Sequence, residues 1–414
     1  MRRWLIAVAI AAFGTSMAYA QDSLLSGNYA WNTGAEGSAF PAGPERDFRP
    51  ALESRQTQIG LTPQGFIKKA IACNATVATE TIRGKSRITI SFTAPNGVKF
   101  EGVLNDQNLI DQITTWLESP VLGDTKLEAI FQDYRDFGGV KFPARIIQRE
   151  GGYPILDLTV TDVKPNAVNP IVVPDKIKSF QSPATEAIAP IKLSDGVWSF
   201  PSDSYQAPKS FAVEFKDYIA VIEAPDSEAR SIAVIDAVKK TIPSKPIKYI
   251  INTHTHFDHS GGLRTYVAEG ATVLTYWQNI PYYEQVWSNP WTIHPDRLTQ
   301  SRKKPQFEGV IGSRILTDGA RELDIYHYAG NFHNPGMLAV YLPKERILIE
   351  ADSFNPPNDP ANPPTAIPNL VQFYGVVQQL GLDVEQIVPI HGRPVTLGDA
   401  RMAIEAYGAG QLWH

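Results

Sequence analysis

A short stretch of this sequence concentrates side chains that could bind a metal ion. It reads His254-Thr255-His256-Phe257-Asp258-His259 and is followed by Ser260 and two glycines. Three imidazoles and a carboxylate so close together need partners, because burial of an unpaired polar or charged group is costly. Imidazole suits Zn²⁺, and three nitrogen ligands with a water molecule are the arrangement of a catalytic zinc site. The stretch therefore predicts a catalytic metal centre.

The spacing inside this stretch predicts how its side chains divide between metal positions. Residues two apart in an extended segment share a side, so His254 and His256 would converge on one ion. Asp258 and His259 would then point toward a neighbouring position, which suggests a second ion. The two glycines after Ser260 allow the backbone to turn tightly into the next helix.

Together with three later segments, this stretch resembles the HxHxDH motif and its companions in the metallo-β-lactamase fold. That family has a further histidine after a strand and near a glycine, which here is His333 within Gly330–Gly336. It has an aspartate at the end of a later strand, here Asp352, and a last histidine before a glycine, here His391. Order and spacing agree at all seven positions in the part of the chain that begins near Lys192.

The resemblance implies a dinuclear zinc site, with iron or manganese as alternative metals. It assigns one set of ligands to each ion and one aspartate to a bridging position: His254, His256 and His333; Asp258, His259 and His391; and Asp352 as the bridge. The residues alone also allow Asp352 to cap a loop instead. Asp258 receives a catalytic role as well, in which it orients the metal-bound hydroxide.

The activity implied by the resemblance is that of a zinc-dependent hydrolase that uses a metal-bound hydroxide. Aspartate at position 352 excludes lactamases with a cysteine there and departs from the all-histidine lactamases, so the pattern is closest to glyoxalase-II-like and lactonase-like enzymes. The substrate is expected to be an ester, lactone, thioester, amide or phosphoester. The aromatic segment Tyr276–Trp291 favours a bulky or apolar substrate, unless its side chains belong to the core of a helix.

Two alternative functions stay open at this point. The chain could be an exported binding or carrier protein for a hydrophobic ligand, with a non-catalytic metal domain. It could also be a periplasmic enzyme that hydrolyses β-lactams. Metal analysis together with a substrate panel distinguishes these functions.

Strands and helices alternate around the predicted ligands. The apolar run Ile247–Asn252 predicts a buried strand directly before the histidine-rich stretch. Further strands are predicted before His333, Asp352 and His391, with helices between them. Mixed strands with covering helices predict a layered α/β sandwich over residues 192–414, and the resemblance makes it the αββα sandwich of the metallo-β-lactamase fold.

The preceding residues predict a second, smaller domain of the α+β class with a curved antiparallel sheet, over residues 59–182. A proline-rich linker is predicted over residues 183–191. Pro63–Val77 predicts a helix, and apolar spacing predicts another at Leu109–Leu117. The segment Tyr134–Pro143 weakly resembles a sequence motif of bacterial half-barrel domains of the lipoprotein-carrier type. This resemblance implies either a binding site for an apolar ligand or a structural module.

The N-terminus predicts export. Arg2 and Arg3 precede the apolar run Trp4–Phe13, and Ala18-Tyr19-Ala20 supplies small residues for cleavage. Residues 1–20 therefore read as a signal peptide cleaved after Ala20, which predicts a periplasmic or secreted protein. Residues 21–58, rich in glycine, proline and serine, are expected to form a loosely ordered lead-in.

Composition narrows the range of partners. The 414 residues carry 38 basic and 43 acidic side chains, a net charge of −5, which excludes the basic bias of nucleic-acid-binding proteins. The N-terminal apolar run is shorter than the ~20 residues of a membrane helix, so no integral membrane span is expected. The single cysteine, Cys73, excludes an intrachain disulfide. The expected partner is a small-molecule substrate, and the oligomeric state is left open.

Overall fold

The computed structural model describes residues 22–34, 38–42, 50–82, 85–167, 171–181, 188–202 and 208–411. The predicted signal peptide lies outside the described residues. The chain divides into two compact units, the first comprising Met1–Ser119 and Asp124–Ser182 and the second Pro120–Gly123 and Pro183–His414. Among the described residues, no helix is both long enough and apolar enough to cross a membrane.

The first unit is dominated by a seven-stranded sheet in which each strand pairs with its neighbours in the sequence. In chain order its elements are β1 (Asp22–Ser26), β2 (Tyr29–Thr33), β3 (Ala39–Pro41), α1 (Ala51–Gly60), α2 (Pro63–Ala72), β4 (Thr76–Ile82), β5 (Lys85–Thr93), β6 (Lys99–Leu104), β7 (Ile110–Ser119), β8 (Gly123–Phe137), β9 (Val140–Glu150), β10 (Tyr153–Thr159) and α3 (Asp175–Lys178). The large sheet runs from β4 to β10.

Helix α2 packs on this sheet and begins where the sequence predicts. The Thr62 side chain accepts a hydrogen bond from the Gly65 backbone N–H at 3.1 Å, and a proline occupies the first helical position. The ring of Phe66 on the helix packs against Phe92, which stacks on Phe100 with ring centroids 5.2 Å apart. The predicted combination of a helix with an antiparallel sheet is confirmed.

The segment expected to be a loose lead-in contains regular structure. Strands β1, β2 and β3 form a small antiparallel sheet. The Arg55 guanidinium on α1 donates hydrogen bonds to the carbonyls of Leu24 and Trp31, both at 2.8 Å. The side chain of Trp31 is buried. These long-range contacts stabilise the three strands. The sequence does not predict them, because it has no sustained repeat of apolar residues in this segment.

The helix predicted at Leu109–Leu117 is wrong, because this segment is most of strand β7. Ile113 and Leu117 are buried there, and the strand lies between β6 and β8. Apolar residues four apart share a face in a helix, but they also share a face in a strand, since four is a multiple of two. Pairing with both neighbouring strands decides between the two periods.

The first half of the second unit forms a seven-stranded mixed sheet. Its elements are β11 (Ile191–Ser194), β12 (Val197–Phe200), β13 (Ser210–Glu214), β14 (Ile219–Ile222), α4 (Glu228–Thr241), β15 (Ile247–Ile251), α5 (Phe257–Ser260), α6 (Leu263–Glu269), β16 (Thr272–Tyr276), α7 (Ile280–Trp287), α8 (Arg297–Ser301) and β17 (Phe307–Val310). Strands β11 to β14 pair antiparallel, and β14 to β17 pair parallel. The parallel pairs require crossover connections, which the helices provide. The carboxyl ends of β14 to β17 therefore meet at one edge.

The second half forms a six-stranded sheet with two helices, one between its fourth and fifth strands and one after its last strand. Its elements are β18 (Ser313–Thr317), β19 (Glu322–His327), β20 (Leu338–Leu342), β21 (Ile347–Glu350), α9 (Pro368–Gln379), β22 (Gln386–Pro389), β23 (Val395–Thr396) and α10 (Leu397–Gln411). One buried apolar cluster contains residues of both sheets, such as Phe211 and Ile325, together with Phe373 of α9. A second cluster joins the first sheet to α4 and α6 through residues such as Val234 and Tyr266. The predicted sandwich of two sheets between helices is confirmed.

Candidate metal centre

The predicted ligands all lie in segments that follow strands, and two of them, Asp258 and His259, belong to the short helix α5. The histidine-rich stretch comes after β15, one further histidine lies between β19 and β20, the aspartate comes after β21 and the last histidine after β22: His254, His256, Asp258 and His259; His333; Asp352; and His391. The structure brings all seven side chains together in two neighbouring groups. Their assignment to particular ions remains a prediction.

The first group contains three histidines and an aspartate whose ligand atoms all lie within 4.8 Å of one another: His254, His256, His333 and Asp352. The three rings form a triangle, with centroid distances of 4.6 Å from His256 to His254, 4.4 Å from His256 to His333 and 5.1 Å from His254 to His333. The Nε2 atoms of His254 and His333 lie 3.3 and 3.2 Å from Asp352 Oδ2. Three imidazoles and one carboxylate oxygen thus surround one position.

The second group contains Asp258, His259 and His391. The Asp258 Oδ2 atom lies 3.3 Å from His259 Nε2 and 3.5 Å from His391 Nε2. Asp352 also borders this group, because its Oδ2 lies 2.9 Å from His259 Nε2 and its Oδ1 lies 3.4 Å from His391 Nε2. Asp352 therefore contacts histidines of both groups, as a bridging carboxylate must.

The chemistry of these side chains fits divalent metal ions. The Nε2 atoms of His254 and His333 are buried and, among the described residues, have no hydrogen-bond partner, which is costly for a polar atom. Burial, with repulsion from neighbouring histidines, holds the pKa of His254 well below its ordinary value, so this imidazole is neutral and has a free lone pair. Burial would raise the pKa of Asp352, but contact with His259 outweighs it and keeps the pKa below its usual range. Neutral imidazoles and ionised carboxylates suit zinc, iron and manganese.

A buried glutamate that the sequence analysis missed supports the second group. Glu223 follows β14, the strand beside β15, and its carboxylate is not exposed. It accepts hydrogen bonds from the backbone N–H of Thr253 at 2.9 Å and from its hydroxyl at 2.8 Å. It also contacts Nδ1 of His259. Burial alone would lower the pKa of His259, but the charges of Glu223 and Asp352 raise it well above its ordinary value.

The contact with Glu223 determines which nitrogen of His259 faces the second group. A carboxylate at Nδ1 holds a proton there, so Nε2, which faces Asp258 and Asp352, is the nitrogen that would bind a metal ion once it loses its own proton. Such a partner increases the basicity of a ligating imidazole. The signal that could have identified Glu223 is the same one that identified Asp352, an acidic residue that closes an apolar strand.

We expect Glu223→Gln to weaken the second metal position without disturbing the fold. Glutamine keeps the shape and one acceptor for Thr253 but removes the charge that stabilises His259. The affinity for the second zinc ion and the rate of turnover should each fall about 10–100-fold, which is typical of such outer partners. Competition with a chromophoric chelator measures the affinity. Glu214→Gln, which replaces a partly buried carboxylate bound to Lys245, is the matched control. Equal zinc affinity in the two variants would contradict the role of Glu223.

The turn that carries Asp352 is held in an unusual conformation. Asp352 has a φ of 57°, in the left-handed region. The carboxylate of Glu350 accepts hydrogen bonds from the backbone N–H groups of Ser353 at 3.0 Å and Phe354 at 3.3 Å. Burial raises the pKa of Glu350 to about 8. This local bonding compensates for a backbone strain of roughly 1–3 kcal/mol and directs the Asp352 side chain toward the histidines.

The two glycines after the histidine-rich stretch are required by close packing. A Cβ on Gly261 would lie 2.0 Å from the carbonyl oxygen of Asp226, and one on Gly262 would lie 1.8 Å from the Ser231 hydroxyl. The absence of side chains lets this turn approach the loop after β14. That approach brings His259 to Glu223.

The aromatic segment Tyr276–Trp291 divides between core and surface. Tyr283 is buried, and its hydroxyl donates to Asn252 Oδ1 at 2.6 Å. The ring of Trp287 packs on Phe307 with centroids 5.3 Å apart. Trp277, in contrast, is 45% exposed. Tyr283 and Trp287 therefore serve the packing of α7 against the sheet.

Comparisons with known proteins agree with this geometry. Residues 217–391 match the family model described as the Metallo-beta-lactamase superfamily, a range that includes all seven predicted ligands. A linear primary-alkylsulfatase from Pseudomonas sp. is 33% identical over 78 residues, which is 19% of this chain and 11% of the length of that enzyme.

Two solved structures are similar in part. A metallo-beta-lactamase from Pontibacter korlensis has 18% sequence identity and a TM-score of 0.41, and the match covers 53% of this chain and 97% of that chain. A metal-soaked flavodiiron core from Synechocystis sp. has 14% identity and a TM-score of 0.43, covering 54% of this chain and 61% of that one.

Proposed function

We propose that this chain, whose second unit belongs to the metallo-β-lactamase superfamily, is an exported zinc-dependent hydrolase. The proposed substrates are esters in the broad sense, which include lactones, thioesters and phosphoesters, together with amides. The observation that carries the proposal is the contact of one carboxylate with the histidines of both groups. Asp352 lies within 3.4 Å of the Nε2 atoms of four histidines: His254, His259, His333 and His391.

Two zinc ions bound there would supply a water of lowered pKa and positive charge beside the oxygen on which negative charge develops. The first would be held by His254, His256 and His333, and the second by His259, His391 and Asp258. Zinc is favoured over a redox metal because the reaction requires no electron transfer and imidazole-rich sites suit zinc.

Asp258 is the residue of the second group best placed to act on the nucleophilic water. Its side chain is 41% exposed, whereas His259 is fully buried, so Asp258 lies on the solvent side of the group. Burial would raise its pKa, but hydrogen bonds from His259 and His391 outweigh this and hold the pKa below its usual range. An ionised Asp258 can accept a hydrogen bond from the water and orient it toward the substrate.

A sulfate ester is a second candidate substrate. The observation that favours it is the sequence match with a linear primary-alkylsulfatase. That match covers a small part of the enzyme, so the sulfate ester is a member of the test panel and not the leading proposal. The β-lactam alternative belongs to the same panel, and so does the carrier alternative, in which metal binds but no substrate turns over.

The test uses the purified mature protein, metal analysis, and a panel of 4-nitrophenyl acetate, a γ-lactone, a thioester, a β-lactam and decyl sulfate. We expect about two zinc ions per chain, hydrolysis of at least one substrate, loss of turnover in excess chelator and recovery with zinc. His254→Ala should abolish turnover, while His294→Ala, a histidine outside both groups, should not. Protein that contains no metal, or full activity in chelator, would refute the proposal.

A further inference from the structure

We infer that three exposed apolar side chains beside the metal centre, Trp277, Ile311 and Phe332, bind the non-reacting chain of the substrate. We call these three residues the apolar rim. The inference rests on the proposed hydrolase function and narrows it to esters that carry a long apolar chain.

Two members of the apolar rim follow neighbouring parallel strands. Trp277 comes directly after β16 and Ile311 directly after β17, and the register pairs Tyr276 with Val310. The two side chains are therefore neighbours at the edge where the parallel strands end. Trp277 is 45% exposed and Ile311 is 74% exposed. Because β15 pairs with β16 and leads to His254, this edge is also the one that carries the histidine-rich stretch.

The third member lies next to a predicted ligand. Asn331 is buried, and its side-chain oxygen accepts hydrogen bonds from the backbone N–H groups of His333 at 2.8 Å and Asn334 at 3.3 Å. This turn directs His333 to the metal group, while Phe332 between the two remains 78% exposed. A large aromatic ring is thus displayed to solvent beside a ligand, on a loop whose conformation does not depend on it.

The segments that carry Trp277 and Phe332 are in contact. The ring of Tyr276 stacks on His327 with centroids 3.9 Å apart, and Nε2 of His327 donates a hydrogen bond to the carbonyl of Pro335 at 2.9 Å. A Cβ on Gly336 would lie 2.6 Å from Asn279 Oδ1, so the loop of Phe332 also packs on the turn that follows Trp277. The segments of Trp277 and Phe332 therefore lie together beside the predicted ligand His333.

An apolar surface of this kind changes the affinity for substrates according to their chain length. Exposed large side chains that occur singly are normal, but a group of them around a polar site is typical of ligand binding. A short ester would reach the metal groups without touching the apolar rim. Each further methylene group that is removed from water by contact with the apolar rim should raise kcat/KM about twofold to fourfold. The upper value corresponds to complete burial of the methylene group.

The test compares 4-nitrophenyl esters from acetate to octanoate, and alkyl sulfates from hexyl to dodecyl, on the zinc-loaded full chain. We expect kcat/KM to rise with chain length in the series that turns over. In the double variant Trp277→Ala/Phe332→Ala the octanoate-to-acetate ratio should fall at least tenfold, and Phe332→Leu in the otherwise unchanged chain should keep most of it. Leu380→Ala removes an apolar side chain of similar exposure, 43%, at the end of α9 and is the matched control.

A binding measurement separates this inference from the proposed function. Decane-1-sulfonate and butane-1-sulfonate cannot be hydrolysed, and calorimetric titration gives their Kd values without turnover. We expect the decyl compound to bind at least tenfold more tightly, and the double variant to lose this preference. Suppose that the unchanged chain hydrolyses no ester and still prefers the decyl compound, while the double variant has lost that preference. In that case the proposed function is wrong, but the binding role of the apolar rim is supported. Hydrolysis without chain-length dependence, or a dependence that the double variant retains, overturns the inference.

Discussion

Replacement of Asp352 by asparagine is expected to lower turnover by three orders of magnitude or more while the protein stays folded. Asparagine has the same shape and tolerates the left-handed backbone conformation that Asp352 adopts, so the turn after β21 should persist. What is lost is the negative charge between the two groups of histidines. Without it, two positive ions would repel each other with less screening, and the second ion should bind weakly.

The measurements for this variant are zinc content and kcat/KM. We expect about one zinc ion to remain, at the group of His254, His256 and His333, and a loss of turnover beyond the roughly 10–100-fold that outer partners of ligands produce. Asp324→Asn is the control, since it changes a buried carboxylate of β19 that belongs to neither group. Two zinc ions and near-normal turnover in Asp352→Asn would show that this carboxylate does not bridge.

Removal of metal is expected to lower the melting temperature of the second unit by about 10 °C. Ligands that bind only the folded state stabilise it by about 4 kcal/mol when free metal exceeds Kd a thousandfold. For a unit of this size, 1 kcal/mol corresponds to roughly 2–4 °C. The stabilisation arises at the metal centre itself. Seven side chains lie close together there, and bound metal gives a partner to the two buried nitrogens that, among the described residues, have none.

Calorimetry with and without chelator, followed by addition of zinc, measures this effect. The groups of possible ligands among the described residues all lie in the second unit, so a transition of the first unit should not move. Asp352→Asn should show a smaller difference between the metal-loaded and metal-free forms than the unchanged chain. Identical melting temperatures in zinc and in chelator would contradict metal binding to the folded state.

Sequence and structure agree best where the signal is local. The start of the helix at Pro63 and the strand before the histidine-rich stretch depend on neighbouring residues, and the structure contains both of them. The segment Leu109–Leu117 shows the opposite case. Its apolar spacing fits a helix and a strand equally, and only the partners β6 and β8 determine that it is a strand.

By itself the sequence predicted seven candidate ligands, four in the histidine-rich stretch and three through the resemblance to the metallo-β-lactamase fold, because a motif of rare residue types needs no knowledge of distant contacts. Only the tertiary structure decided how they meet. The contacts of Asp352 with four histidines, the support of His259 by Glu223 and the exposure of Phe332 all depend on which strands end at the same edge. The sequence signals of Glu223 and Phe332 are weak, since an acid that ends a strand and an aromatic residue in a loop are both common. Their roles follow from packing, which places one in the interior against a ligand and leaves the other in water beside it.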